Sequence, residues 1–164
     1  MSELETRIIV EVDGLSLLDL VYYDFLDQED IDEIYKELEE SAKNAVPNLG
    51  KGLEDWIRFE INTQQLIDTG NMLGSVYSYQ TDDFTIYVDV AATENGYSYP
   101  EGLEEGTGIY GPTGEYIHIE GNPYLYWPGA DHPVKSVENP GISPTPFVEP
   151  AREALENQIE EAFV

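Results

Sequence analysis

The sequence contains no cysteine and very few basic residues. Without cysteine, disulfides, thiolate zinc sites and cysteine nucleophiles are excluded. Lysine and arginine number 7 against 34 aspartates and glutamates, so the formal net charge is −27 at pH 7. Binding phosphate groups requires basic side chains that displace counterions, which argues against binding to nucleic acid or to anionic membranes. No apolar run approaches the length of a membrane span and no signal-peptide pattern opens the chain, so we expect a soluble protein that acts where it is made.

What is present is enough for one folded domain. The chain has 164 residues, of which 41% are hydrophobic and 12% aromatic, so it can bury a core despite its charge. The acidic residues are spread along the whole chain, a pattern typical of proteins from salt-loving cells. There the solvent supplies the screening, since the Debye length falls to roughly 3 Å at 1 M salt. An acidic mimic of DNA and a surface built to avoid DNA are the alternative interpretations.

Apolar periodicity predicts an α+β fold with one or two N-terminal helices, a mainly antiparallel β-sheet with a long glycine-rich loop, and a C-terminal helix. Ile31, Ile34 and Leu38 fall on one helical face. Pro47 is expected to stop or kink this helix before a second helix, or a continuation of the first, begins. Residues 76–92 predict a hairpin that turns at Asp82 and Asp83.

We interpret residues 1–164 as a single domain. Its predicted parts are an N-terminal strand and extension (1–28), a glycine-rich loop (99–114), a proline-rich loop (128–146) and a C-terminal helix (147–163). The first strand is predicted at 6–12, in the N-terminal part, and two short aromatic strands are predicted near residues 115–121 and 124–129.

The sequence predicts no catalytic residue, no cofactor and no metal site. Glycines at 106, 108 and 111 have the spacing of a dinucleotide-binding loop, but no basic residue lies near them and Pro112 follows directly. His118 and Glu120 form an H-x-E pattern whose cysteine partners are missing. A hydrolase that uses paired carboxylates stays an alternative, although nothing singles out a pair among so many acids. The many tyrosines of the sheet half are expected to serve the core and subunit contacts.

Three separated segments resemble one protein family. "DTGNMLGSV" (Asp68–Val76) is similar to a D-T-G-x-L-x-x-S-[IV] signature, "EEGTGIYGP" (Glu104–Pro112) to an E-x-G-T loop, and "NPGISPTPFVEPAREAL" (Asn139–Leu155) to P-G-x-x-x-x-P-F-[LM]-x-P-A. The chain therefore resembles the tail-completion, or head–tail joining, proteins of long-tailed viruses. With the acidic composition, the resemblance indicates a virus of a halophilic archaeon.

The resemblance implies a structural virion protein without catalysis. Such proteins form a ring, usually a hexamer, in the neck between head and tail. The partners implied are further copies of the chain, a portal adaptor or stopper on one side, and a tail terminator or tail tube on the other. Genomic DNA passes through the lumen without specific binding, and no membrane is involved. The implied location is the virion neck, with the host cytoplasm during assembly.

The resemblance also implies roles for particular residues. The loop is expected to be flexible and to become ordered on assembly. Its implied subunit interface comprises Glu105, Gly106, Thr107, Gly108, Ile109 and Tyr110. The implied structural motif residues are Thr69, Gly70, Ser75, Pro146, Phe147, Pro150 and Ala151. The alternatives that stay open are a tail terminator, another connector layer, and an acidic DNA-mimic inhibitor.

Overall fold

The structure, a computed structural model, describes residues 5–9, 28–66, 70–94 and 97–162. It confirms the α+β class. The first helix, α1 (Gln28–Thr63), is a single element of 36 residues that runs through Pro47. Of the two expectations, the stop with a second helix is wrong and the continuation of the first helix is confirmed. Pro47 is exposed, so water can hydrate the carbonyl that loses its helical partner. Burial on both sides of it, at Val46 and Leu53, favours a continuous helix.

A three-stranded antiparallel sheet packs against α1. Its strands are β1 (Glu5–Ile9), β2 (Val76–Asp82) and β3 (Thr85–Val90), in the order β1-β3-β2. The hairpin predicted between β2 and β3 is confirmed, with the backbone N–H of Phe84 donating to Asp82 Oδ1 at 2.9 Å in its turn. The predicted first strand is confirmed over β1. Residues 10–27 of the predicted N-terminal extension lie outside the described residues.

The second half of the chain departs more from the sequence prediction. Instead of joining one sheet, its strands form two separate antiparallel pairs: β4 (Thr93–Glu94) with β5 (Tyr97–Ser98), and β6 (Ile117–Leu125) with β7 (Val134–Asn139). Strand β6 covers residues 117–121 of the first predicted aromatic strand and residues 124–125 of the second, whereas residues 126–129 are not in a strand. Strand β7 lies inside the segment predicted as a proline-rich loop.

The segment predicted as a glycine-rich loop is largely helical. It contains helix α3 (Tyr99–Glu105) and a 3₁₀ turn (Gly108–Tyr110), so the loop prediction is wrong for these residues. Pro100 occupies the first turn of α3, where a missing N–H costs nothing. Tyr99 and Leu103, four residues apart, both pack against the hydrophobic core.

The core joins α1, the sheet and the C-terminal helix. That helix, α4 (Val148–Ala162), confirms the predicted C-terminal helix. A short helix, α2 (Asn71–Gly74), lies between α1 and β2 in the sequence. One cluster of buried side chains unites these elements: Leu53, Ile57, Ile61, Met72, Val76, Val88, Val90, Ala92, Phe147, Ala151 and Leu155.

Candidate assembly interface

The glycine-rich segment packs along the proline-rich segment that precedes α4. The backbone N–H of Thr107 donates to the carbonyl of Ile142 at 2.9 Å, and the N–H of Ile109 donates to the carbonyl of Pro140 at 2.9 Å. The N–H of Ile142 donates to the Thr107 hydroxyl at 3.1 Å. Because backbone groups of both segments are paired in this way, the segment belongs to the fold of the single chain, in contrast to the flexible loop expected from sequence.

Two glycines allow this close approach. Gly108 has φ +63° and Gly141 has φ +84°, a conformation that L-residues rarely adopt. A Cβ at Gly108 would lie 2.8 Å from the backbone nitrogen of Gly141, and a Cβ at Gly141 would lie 2.7 Å from that of Gly108. Each glycine therefore makes room for the backbone around the other.

Glu104 connects the same segment to the start of α4. Its Oε2 accepts from the backbone N–H of Phe147 at 2.9 Å and from that of Val148 at 3.4 Å. These are N–H groups that a helix leaves unpaired at its beginning, and a carboxylate there also interacts well with the helix dipole. Nearby, the N–H of Thr145 donates to the carbonyl of Leu103 at 2.7 Å. A residue 43 positions away in sequence thus caps the last helix.

The structure divides the predicted subunit interface into buried and exposed positions. Gly106 and Gly108 are buried, and Thr107 and Ile109 are half-buried. Glu105 and Tyr110 are exposed, and Tyr110 keeps 49% of its accessible surface. Of the six predicted residues, only these two are exposed.

Of the seven predicted structural motif residues, two lie in the hydrophobic core and others lie at or near the ends of helices. Phe147 and Ala151 are fully buried, and Ser75 Oγ donates to the carbonyl of Met72 at 2.8 Å where α2 ends. Gly70 has φ +81° at the start of α2. Pro146 accepts a hydrogen bond at its carbonyl from Gln64 Nε2 at 3.0 Å. Pro150 is half-buried in the first turn of α4, whereas Thr69 lies outside the described residues.

A buried carboxylate between α1 and β2 was missed by sequence reasoning. Glu54 accepts hydrogen bonds from Ser78 Oγ at 2.6 Å, Arg58 Nη1 at 2.8 Å and Lys51 Nζ at 3.0 Å. Burial by itself raises the pKa of Glu54, but these three donors outweigh it and lower the pKa to about 2. Arg58 also donates to the carbonyl of Val76 at 2.5 Å. The sequence could have indicated the ion pairs, because Lys51 lies three residues before Glu54 and Arg58 four residues after it. It gives no sign of the contact with Ser78, which is distant in the chain.

The β6–β7 pair, with the turn between its strands, forms an arm that spans residues 117–139. Strand β6 pairs with β7 through Ile117 to Glu120, opposite Asn139 to Ser136, and again at Leu125, opposite Val134. The arm and its flanks carry a concentration of exposed large apolar side chains: Tyr110, Tyr116, Ile117, Ile119, Tyr124, Tyr126, Trp127 and Ile142. This concentration of exposed apolar side chains makes the arm a candidate interaction surface.

A groove of about 530 Å³ lies on this arm. Its apolar wall includes Ile119, Leu125, Trp127, Val137 and Pro140, and Glu138 and Asn139 are polar groups that also line it. Trp127 keeps 45% of its surface exposed. The groove therefore offers an aromatic wall together with hydrogen-bond acceptors.

A histidine connects the two strands of the arm. His118 Nδ1 lies 2.5 Å from Glu138 Oε1 across the pair, and its Nε2 lies 3.4 Å from Glu120 Oε1. Hydrogen bonding to Glu138, and then to Glu120, raises the pKa of His118. The side chain of His118 is half-exposed.

Within the described ranges, no group of three or more histidine, aspartate or glutamate side chains could hold a metal ion. No helix in that same part of the chain is long and apolar enough to cross a membrane. We found no matching protein-family model, and neither a curated protein nor a solved structure matches the chain.

Proposed function

We propose that this chain is a structural protein of the neck of a tailed virus, where copies of it form a ring between the DNA-filled head and the tail tube. The proposed host is a salt-loving archaeon. A tail terminator or another connector layer is the same kind of role at a neighbouring position. No catalysis is assigned to the chain.

The observation that carries this proposal is the convergence of the three segments that resemble head–tail joining proteins. Met72 and Val76 from the first segment belong to the same core cluster as Phe147 and Ala151 from the third. Glu104 from the second segment caps the helix that the third segment begins. The segments are far apart in sequence, so their meeting in one structural unit supports the view that they form a single inherited pattern rather than three chance matches.

The charge of the chain is compatible with a DNA passage. A ring built from copies with a net charge of −27 repels the phosphates of a duplex in its lumen. DNA can therefore move through such a ring without being retained. The same acidic surface suits a saline host, because dissolved ions screen the repulsion between subunits.

The test is to locate the chain in purified virus particles and to remove it from the virus. We expect an antibody label at the head–tail junction in electron micrographs, and an accumulation of separate filled heads and tails when the gene is deleted. The Tyr110→Ser variant, which alters an exposed side chain of the predicted interface, should fold normally but restore fewer joined particles. Labelling elsewhere in the particle, or joined particles in normal yield without the gene, would contradict the proposal.

The long acidic helix favours a second candidate of a different class, an inhibitor that imitates DNA. The first half of α1 presents exposed carboxylates on successive turns, among them Glu33, Glu37 and Glu40. A DNA mimic would compete with duplex DNA for a nucleic-acid-binding host protein, and the competition would weaken with salt. Co-purification of a host DNA-binding protein with the chain, together with its absence from virus particles, would favour this candidate over the neck protein.

A further inference from the structure

Within the described residues, no other strand pairs with the arm. Its two strands pair with each other in a sheet of their own, and an isolated two-stranded sheet is marginally stable in water. Tyr124 keeps 57% of its surface exposed and Tyr126 keeps 69%, far more than a tyrosine that is buried in a core. Within the described part of the chain, this apolar surface of the arm stays uncovered and is available to another molecule.

The groove and a separate tyrosine give the arm two complementary parts. Tyr124 is not among the residues that line the groove, although the adjacent Leu125 and Tyr126 are. A buried tyrosine ring favours apolar walls, and its hydroxyl requires a hydrogen-bond partner. Ile119, Val137 and Trp127 supply such walls, and Glu138 and Asn139 supply acceptors.

Charge argues that the neighbour is another copy of the chain. Most of the surface carries carboxylates, so two copies that meet elsewhere would bring like charges together. The arm has only four formally charged residues, Glu120, Asp131, Lys135 and Glu138, for a net charge of −2. Within the described part of the chain, Lys135 makes no ion pair, so it can pair with a carboxylate of the neighbouring copy.

The arm carries two unlike parts, an exposed tyrosine and a groove. A contact between unlike parts of two copies is a head-to-tail contact, and repetition of such a contact closes into a ring when the rotation allows it.

We infer that the arm is the self-association surface of this chain, with Tyr124 of one copy inserted into the groove of the next. This inference rests on the proposed neck ring for its biological meaning, but the contact itself is a property of the purified protein. Raising the salt concentration strengthens it, because the repulsion between the acidic bodies is screened while the apolar contact persists.

The first experiment measures mass by light scattering in about 0.1 M and about 1 M KCl, where the Debye lengths are about 10 Å and 3 Å. We expect oligomers whose apparent affinity rises at least about tenfold with salt. Tyr124→Ser removes the inserted side chain, and Val137→Asp places a charge in the groove. Each should be monomeric, whereas Phe59→Ser, which alters a 53% exposed aromatic residue of α1, should associate like the natural chain. Far-UV circular dichroism shows whether each variant keeps its fold.

Mixing the two arm variants gives the sharper test. Tyr124→Ser keeps an intact groove and Val137→Asp keeps an intact Tyr124, so one head-to-tail contact can still form between them. We expect a 1:1 complex that does not grow further. The chain has two tryptophans, so a Trp56→Phe background leaves Trp127 as the only indole, and its emission should shift to the blue on association.

Three results would overturn the inference: a monomer at every salt concentration, association that survives both arm variants, and a mixture that forms no complex. Failure of the proposed function is distinguishable from these. A chain that associates through the arm but is missing from the virus neck contradicts the function and leaves the inference standing. A chain that lies in the virus neck but whose arm variants associate normally contradicts the inference and leaves the proposed function standing.

Discussion

Glu54 shows how a single residue among 34 acids becomes important through its neighbours. It is buried beside Ser78, Arg58 and Lys51, and it joins the middle of α1 to strand β2. Glu54→Gln keeps the shape of the side chain but removes its charge, and it leaves the half-buried Arg58 poorly paired. We expect the free energy of unfolding to fall by about 1–3 kcal/mol. Urea titration at constant high salt measures the change.

The adjacent Asp55 provides the matched control for that change. Asp55→Asn alters an ion-pairing carboxylate whose side chain is 64% exposed, so we expect the free energy of unfolding to change by less than about 0.5 kcal/mol. Equal losses in the two variants would show that the burial of Glu54 does not matter.

The lowered pKa of Glu54 also predicts a pH dependence. A folded-state pKa of about 2, below the ordinary value of 4.5, means that the stabilisation is fully present above pH 4.5 and is lost as the pH falls towards 2. The stability difference between the natural chain and Glu54→Gln should therefore shrink by up to about 3 kcal/mol across this window. A difference that stays constant from pH 5 to the lowest pH at which the chain is folded would contradict the pKa of this group. Comparing the two chains removes the contributions of the other carboxylates.

Gly108 and Gly114 separate the effect of backbone conformation from that of space. Both have positive φ, +63° and +65°, but a Cβ at Gly114 meets nothing within 4 Å. Gly114→Ala should cost only the conformational penalty of roughly 1–2 kcal/mol. Gly108→Ala should cost more, because the added methyl group collides with the backbone of Pro140 and Gly141. Denaturant midpoints of the two variants make the comparison, and equal midpoints would exclude a close approach of the two segments.

For single residues, the sequence predicts structural positions better than it predicts which groups each residue contacts. Phe147 and Ala151 could be assigned to structural positions from a motif, and both are fully buried. The pairing of Glu104 with the start of α4 could not, because the E-x-G-T pattern marks Glu104 but does not indicate which backbone groups its carboxylate contacts. The contact depends on how α3 is placed against α4, which is a property of the folded chain.

The predicted helices and strands succeeded where the apolar pattern was long. The helix α1 and the β2–β3 hairpin both follow from periodicity, because many residues contribute to each signal, although Leu38 of the predicted apolar face is exposed. The segments 99–114 and 128–146 were predicted as loops because of their glycines and prolines. Their short elements, such as α3 and β7, are stabilised by packing and backbone pairing with distant segments, which local composition does not report.

Pro47 gives a test at the scale of a whole helix. A proline inside a helix removes one hydrogen bond and strains the preceding turn, at a cost of about 3 kcal/mol in a helix interior. Since α1 runs through this exposed position, Pro47→Ala should restore the bond and raise the free energy of unfolding, by about 1–3 kcal/mol. A break in α1 at this point would instead make the substitution neutral or destabilising. Asn48→Ala, at the neighbouring exposed position, is the control and should have a smaller effect.

At the scale of the whole molecule, net charge dominates. A charge of −27 on 164 residues produces repulsion that the compact state feels more strongly than the unfolded chain. Raising KCl from about 0.1 M towards about 1 M should therefore increase the thermal midpoint, since the Debye length falls from about 10 Å to about 3 Å. Differential scanning calorimetry of the natural chain, with association monitored by light scattering, measures this. A midpoint that is independent of salt would show that the charges are already far enough apart to be harmless.

The packing of Gly108 against Gly141 has a consequence for the evolution of the chain. Because each glycine leaves room for the backbone around the other, a side chain at either position forces the two segments apart and removes the reason for keeping glycine at its counterpart. The two sites are therefore epistatic: among natural variants of this chain they should be retained together or lost together.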